Sequence, residues 1–134
     1  NRKEWGLENF QKVRDSFPEL NFVQVGISSE PLMKNVADAR NLSLRETAAV
    51  LKNSLFFLGL EGGFMHLNKS VGNTSVIIFG GYIRPEISGY KDDINLYSRE
   101  ECSPCFTSEE KQNPCESMKC MKNISTETVI TAVK

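Results

Sequence analysis

The sequence predicts an α/β fold, a parallel sheet with helices on both faces. Three observations carry this reading. Apolar runs of strand length, Phe22-Val23-Gln24-Val25, Leu55 to Leu60 and Ser75 to Phe79, alternate with segments whose apolar residues recur at helical spacing. Each run is followed by glycine: Gly26, Gly62-Gly63 and Gly80-Gly81. The strand–helix alternation then calls for parallel strands covered on both sides, joined by right-handed crossovers.

The elements follow in order. Leu7, Phe10, Val13 and Phe17 define a helix from Trp5 to Phe17, stopped by Pro18. The Phe22–Val25 run is a short buried strand ended by Gly26. Glu30 to Ala39 reads as a weaker helix beginning at Pro31. Ser43-Leu44-Arg45-Glu46 is a capping box, in which the Ser43 hydroxyl accepts the Glu46 amide and the Glu46 carboxylate returns to the Ser43 amide. The helix it opens has Leu44, Ala48 and Leu51 as its apolar face, flanked by Thr47 and Val50. Leu55 to Leu60 is the next strand, Glu61-Gly62-Gly63 a tight turn and Phe64 to Val71 a short helix. Ser75 to Phe79 is a strand, Asp93 to Tyr97 a last short one. Cys102 to Cys120 is polar and loop-like. Ser125 caps a final helix with Val129, Ile130 and Val133 as its apolar positions. One domain fills residues 1–134: a core over 1–99, a cysteine-rich segment over 100–122 and a C-terminal helix over 123–134.

Bulk properties narrow the function classes. The chain has 134 residues, 40% of them hydrophobic and 25% charged, enough for one real core. A formal net charge of -1 offers no basic field for nucleic acid. No apolar run approaches the roughly 20 residues of a membrane helix, which leaves at most peripheral membrane association. The start, Asn1-Arg2-Lys3-Glu4-Trp5, has neither an initiator Met nor a signal-peptide core and opens directly on a helix, so we expect a piece of a longer chain whose preceding strand is missing. Asn41, Asn68, Asn73 and Asn123 begin Asn-x-Ser sequons, a short pattern that chance produces readily.

Chemistry concentrates in two places. At Leu55 to His66, a strand, a Glu-Gly-Gly turn and a helix start follow one another. Glycine lets backbone amides approach a ligand, and a helix N-terminus is an anion site. Such turns lie at the carboxyl ends of parallel strands, where ligands bind. The plainer reading is only a turn. His66, the sole histidine, falls on the first turn of that helix; the plainer reading is a half-buried histidine with one satisfied hydrogen bond. Glu30, five residues beyond the first strand, could accept from ribose hydroxyls or simply be an exposed loop acid. The second place is Cys102, Cys105, Cys115 and Cys120, spaced C-x2-C-x9-C-x4-C. Four thiolates suit zinc or iron in a tetrahedron, two disulfides suit an oxidising compartment, and four reduced thiols are the third reading. No nucleophile elbow, P-loop or H-E-x-x-H is present, and no complete acid–base pair is evident.

At these residues the sequence resembles glycosyltransferase family 9, the heptosyltransferase type. Lys3-Glu4-Trp5 looks like the Lys-x-Trp opening the first helix of that family's C-terminal domain. Gly26 and Glu30 resemble its glycine and acid after the next strand, and Leu42-Ser43-Leu44 its Ser-Leu helix start. Glu61-Gly62-Gly63-Phe64-Met65-His66 resembles its Asp-Thr-Gly-Pro-x-His signature, with Glu61 for Asp and Gly62 for Thr. Val76 to Gly80, Pro85 and Gly89-Tyr90 resemble the strand and loop that follow. The four cysteines resemble the tail of one subset.

The resemblance implies a Rossmann-like C-terminal half of a GT-B glycosyltransferase. It implies a bacterial cytoplasmic enzyme that binds a nucleotide-sugar donor, an ADP-sugar such as ADP-heptose, and needs no organic cofactor. Lys3 would face the diphosphate, Glu30 the ribose and Leu42 the adenine surround. Glu61 heads the signature; Gly62, Gly63 and Phe64 would present amides to phosphate, supported by His66. Such a lysine and amides can stabilise the leaving diphosphate without a metal. The catalytic base, an Asp, and the site for a glycan or protein acceptor would lie in an N-terminal domain outside this chain. Two other readings remain. One is a non-catalytic metal-knuckle module for assembly, favoured by the changes at Glu61 and Gly62. The other is a secreted disulfide domain, resting on sequons and cysteines.

Overall fold

The computed structural model describes residues 3–105, 115 and 117–134. In chain order the elements are α1 (Leu7–Asp15), β1 (Val23–Gly26), β2 (Ala37–Arg40), α2 (Leu44–Lys52), β3 (Phe57–Leu60), α3 (Gly63–Ser70), β4 (Ser75–Phe79), α4 (Pro85–Ser88), β5 (Ile94–Tyr97), α5 (Lys119–Lys122) and α6 (Thr126–Val133). All strand pairings among the described residues are parallel. β1 pairs with β2, Val23 opposite Ala37, and β3, β4 and β5 form a three-stranded sheet in that order.

β4 is the centre. Its five residues, Ser-Val-Ile-Ile-Phe, are all buried, as expected for a parallel strand covered on both sides. Because side chains alternate across a strand, Ile78 joins Trp5, Val13, Phe17, Met121, Ile124 and Val129 on the face covered by α1 and α6. Ile77 and Phe79 point the other way, onto Met65 of α3. The start and end of the chain meet on the first face: the buried Trp5 indole donates to the Ile124 carbonyl at 2.7 Å.

The main departure from expectation is the segment from Glu30 to Ala39, which is not a helix. It runs through turns into β2, and its backbone groups are satisfied from outside. Gln24 of β1 accepts from the Met33 amide at 2.8 Å and donates to the Pro31 carbonyl at 2.9 Å. Gln11 of α1 accepts from the Lys34 amide at 2.8 Å, and Arg14 donates to the Asn35 carbonyl at 3.0 Å. With these bonds made, and Asn35 at a positive φ of 56°, a helix gains nothing there. β1 and β2 are thus joined in parallel by residues 27–36 with no helix between them.

Smaller differences have local causes. The capping box forms as expected, the Ser43 amide donating to Glu46 at 2.8 Å and the Glu46 amide to the Ser43 hydroxyl at 3.3 Å. The buried face of α2, however, is Thr47 and Leu51, and Leu44 is 71% exposed. The apolar run at Leu55 starts before the strand: Leu55 is exposed, and pairing begins at Phe57, opposite Ser75. Cys120 lies on α5, where a loop was expected, and its side chain is buried in the core. The Ser125 cap of α6 forms, at 3.1 Å to the Thr128 amide. Two sequons are unusable in the folded chain. Asn68 is fully buried, and the Asn73 side-chain amide donates to the carbonyls of Leu51 and Ser54 at 2.8 and 3.0 Å.

The Gln24 bonds generate a prediction. Gln24→Ala strips two partners from the Pro31–Met33 backbone and should lower the urea midpoint by the equivalent of about 1–2 kcal/mol with an unchanged slope. An unmoved midpoint contradicts the account of why this segment is not helical.

Candidate functional site

The site grows from the carboxyl ends of β3 and β4. The Glu61 amide extends the ladder by donating to the Ile78 carbonyl at 3.3 Å. Gly62 then turns the chain into α3 with a φ of 154°, a backbone region that side chains disfavour, and with open space where a Cβ would stand. No side chain caps α3, and no acidic residue occupies its first turn. The leading amides, at Gly63 and Phe64, therefore face outward with the positive end of the helix dipole behind them.

Lys3 arrives at this edge from the other end of the sequence. Its ammonium forms an ion pair with the Glu61 carboxylate. It also lies 4.9 Å from the centre of the Tyr82 ring, a cation–π contact. Tyr82 follows Gly80-Gly81 at the carboxyl end of β4. Lys3, Glu61 and Tyr82 thus form one cluster beside the start of α3. The Lys3 side chain keeps 31% of its surface and Glu61 11%, so the lysine is the more accessible partner. His66, exposed on the same helix, places Nδ1 2.9 Å from the Tyr90 hydroxyl, with the two rings edge to face.

Glu30 and Leu42 occupy a second place, past the carboxyl ends of β1 and β2. The Glu30 carboxylate folds back over Gly26, filling the space a Cβ would take. Arg40 donates to the Glu30 carbonyl and grips Asp38 with two bonds, 2.9 and 2.8 Å. That guanidinium holds the Asp38 carboxyl down to about 2. Leu42 is partly exposed. Among the described residues no hydrogen bond or ion pair joins Glu30 or Leu42 to Lys3, Glu61 or His66.

The cysteine segment docks next to the first cluster. The Cys105 amide donates to the Gly81 carbonyl at 2.8 Å. A Cβ on Gly81 would meet Ser103 Cβ at 3.1 Å and Cys120 Sγ at 3.2 Å, so a larger residue there would press on both by a few tenths of an ångström. The Ser103 hydroxyl lies 2.8 Å from that of Tyr97, and Arg84 donates to the Ser103 carbonyl. The four cysteines offer sulfur, a donor type that suits a soft metal. Among the described residues, however, no three metal-ligating side chains converge. The interior of the segment, residues 106–114 and 116, lies outside the described residues.

Sequence reasoning passed over Tyr82 and the role of Tyr90. Tyr82 carries a signal that could have found it, an aromatic residue directly after a glycine pair at a strand's carboxyl end. Tyr90 carries none that singles out His66. Two open hollows lie away from this edge, one lined by Leu96, Glu127, Thr128, Thr131 and Ala132, the other between α1 and Leu32–Asn35. The first carries one acid, Glu127, and the second Lys34 with the acids Glu8 and Asp15, charge that disfavours an anion, so the anion-binding chemistry is assigned to the α3 edge.

The model of glycosyltransferase family 9 (heptosyltransferase) matches residues 1–116. Two solved structures share the fold at a TM-score of 0.79 and 16% identity. One is the dodecameric iron-containing heptosyltransferase TibC in complex with ADP-D-beta-D-heptose, matched over 98% of this chain. The other is the bacterial iron-containing dodecameric glycosyltransferase TibC from enterotoxigenic E. coli H10407, matched over 99%. This chain spans 41% of the length of each. No curated protein matches it. At that identity the structural likeness speaks for the fold, the Rossmann-like α/β arrangement of a GT-B enzyme. With the family's model covering residues 1–116 of 134, the chain belongs to glycosyltransferase family 9.

Proposed function

We propose that this chain is the donor-binding part of an inverting glycosyltransferase, which passes heptose or a related sugar from a nucleotide-diphosphate donor to a glycan or protein acceptor. The observation that carries the reading is the Lys3–Glu61 pair beside the uncapped start of α3. A diphosphate set against Gly63 and Phe64 would receive amide hydrogen bonds and the helix dipole, with Lys3 and His66 within its reach. In the reaction, an acceptor hydroxyl loses its proton to a base and attacks the anomeric carbon, and the bond to the diphosphate breaks. Lys3 and the amides stabilise the charge that builds on the departing nucleotide diphosphate. The base and the acceptor site belong, in this reading, to an N-terminal domain beyond this chain. Glu30 and Leu42 would serve the ribose and the adenine.

Lys3 is shared between Glu61 and the incoming phosphate. Glu61 offsets the lysine's charge, so amides contribute more of the phosphate affinity than they would beside an unpaired lysine. ADP titrated into the chain should shift the amide resonances of Gly63 and Phe64 and the ring resonances of His66. Lys3→Gln should weaken binding by about tenfold, the worth of one partly exposed charge-assisted contact. No shifts at these residues up to millimolar ADP would sink the donor reading.

A structural metal is the second part of the proposal. Cys102 and Cys105 share one turn, and the Cys105 amide and the Cys120 sulfur both abut Gly81. With Cys115 they would supply four thiolates to iron or zinc, whose part would be to hold the segment against β4. Elemental analysis should give about one iron or zinc per chain, and chelation should raise the number of titratable thiols to four. Metal-free protein with four reactive thiols in the native state contradicts this part alone.

A further inference from the structure

The Tyr90–His66 contact goes beyond the donor reading, on which this inference rests. Imidazole has two nitrogens and two neutral tautomers, and only a nitrogen carrying hydrogen can donate to a phosphate oxygen. Something must hold one nitrogen so that the other faces the ligand with its proton. His66 Nδ1 lies 2.9 Å from the Tyr90 hydroxyl, while among the described residues Nε2 has no hydrogen-bond partner. The His66 side chain is exposed, so Nε2 is open to a ligand.

Tyr90 is itself held from several sides. Its carbonyl accepts from the Asp93 amide at 3.2 Å and from the Asn95 side chain at 2.8 Å, which fixes the turn. Its ring packs on the cluster of Met65, Ile77 and Phe79. The Lys69 ammonium sits 5.5 Å from the ring centre, itself paired with Asp92. The hydroxyl is therefore a fixed point supplied by the loop before β5, and His66 leans on it edge to face, ring centres 5.7 Å apart.

We infer that Tyr90 is a positioning residue: it holds Nδ1 of His66 and so fixes Nε2 as the nitrogen that meets the donor's diphosphate. A phenolic O–H is a better donor than acceptor toward a neutral imidazole. Donation to Nδ1 leaves the hydrogen on Nε2. If His66 is protonated instead, the same hydroxyl turns to accept from Nδ1–H, and Nε2 again carries hydrogen. One contact thus keeps the outward nitrogen a donor in both charge states.

His66 is the only histidine, so its ring nitrogens can be read without ambiguity in 15N-labelled protein. The Nε2–H tautomer should predominate for the neutral ring. Tyr90→Phe keeps the packed ring but removes the hydroxyl. The nitrogen shifts should then move toward averaged tautomers, and the ADP dissociation constant should rise about fivefold. A parent ring with Nδ1–H predominant overturns the inference, and so does a Tyr90→Phe chain whose ADP affinity is unchanged. If Tyr90→Phe folds poorly, the parent's tautomer still decides. The two levels separate cleanly. If the parent binds ADP and His66→Ala weakens it while Tyr90→Phe does not, only the Tyr90 inference fails. If the parent binds no ADP at any concentration, the donor reading fails and takes this inference with it.

Discussion

Complete burial of β4 is the constraint on which the rest of the molecule depends. Five consecutive buried residues need cover on both faces. α1 and α6 give it on one side through Val13 and Val129, α3 on the other through Met65. Burial of that kind, about 25 cal/mol per Å² of apolar surface, is the main source of stability for such a domain. It also dictates where chemistry can occur. With both faces of β4 closed, the accessible polar groups that this strand positions gather where it ends. There the chain supplies Gly80-Gly81-Tyr82, onto which Lys3 and the cysteine segment both close.

The Lys3–Glu61 pair is better understood as placement than as stability. Partly exposed ion pairs contribute little, roughly 0–1 kcal/mol. What brings Lys3 to the sheet edge is Trp5, buried two residues later and hydrogen-bonded to the Ile124 carbonyl. The core thus positions the lysine, and the carboxylate and the Tyr82 ring keep its ammonium at the start of α3. The same economy appears at His66, where a tyrosine from a distant loop orients a side chain that its own helix leaves exposed.

Much of this was legible in the sequence because the signals were local. The Ser43–Glu46 box, the Ser125 cap, the apolar run of β4 and the Gly62-Gly63 turn each announce themselves within a few residues. What was not legible depends on partners far along the chain. The segment after Glu30 carries a proline at a plausible helix start, yet Gln24, Gln11 and Arg14 satisfy its backbone groups and release it to pair as β2. Leu44 and Leu55 look like core and are exposed, since tertiary register rather than hydrophobicity decides which apolar residues face inward. Lys3 and Glu61 were each read as site residues, but nothing in their separate contexts says they would meet. Glu30 and Leu42, also expected at the site, stand past β1 and β2.

The central claim is that an uncapped helix start, with Lys3 held beside it, cradles a diphosphate. A crystal structure of the chain soaked with ADP tests it most directly. The account predicts the diphosphate within hydrogen-bond distance of the Gly63 and Phe64 amides, with Lys3 and His66 Nε2 turned toward its oxygens. A nucleotide whose phosphates lie elsewhere, for example in the hollow beside Leu96 and Thr128, would contradict it.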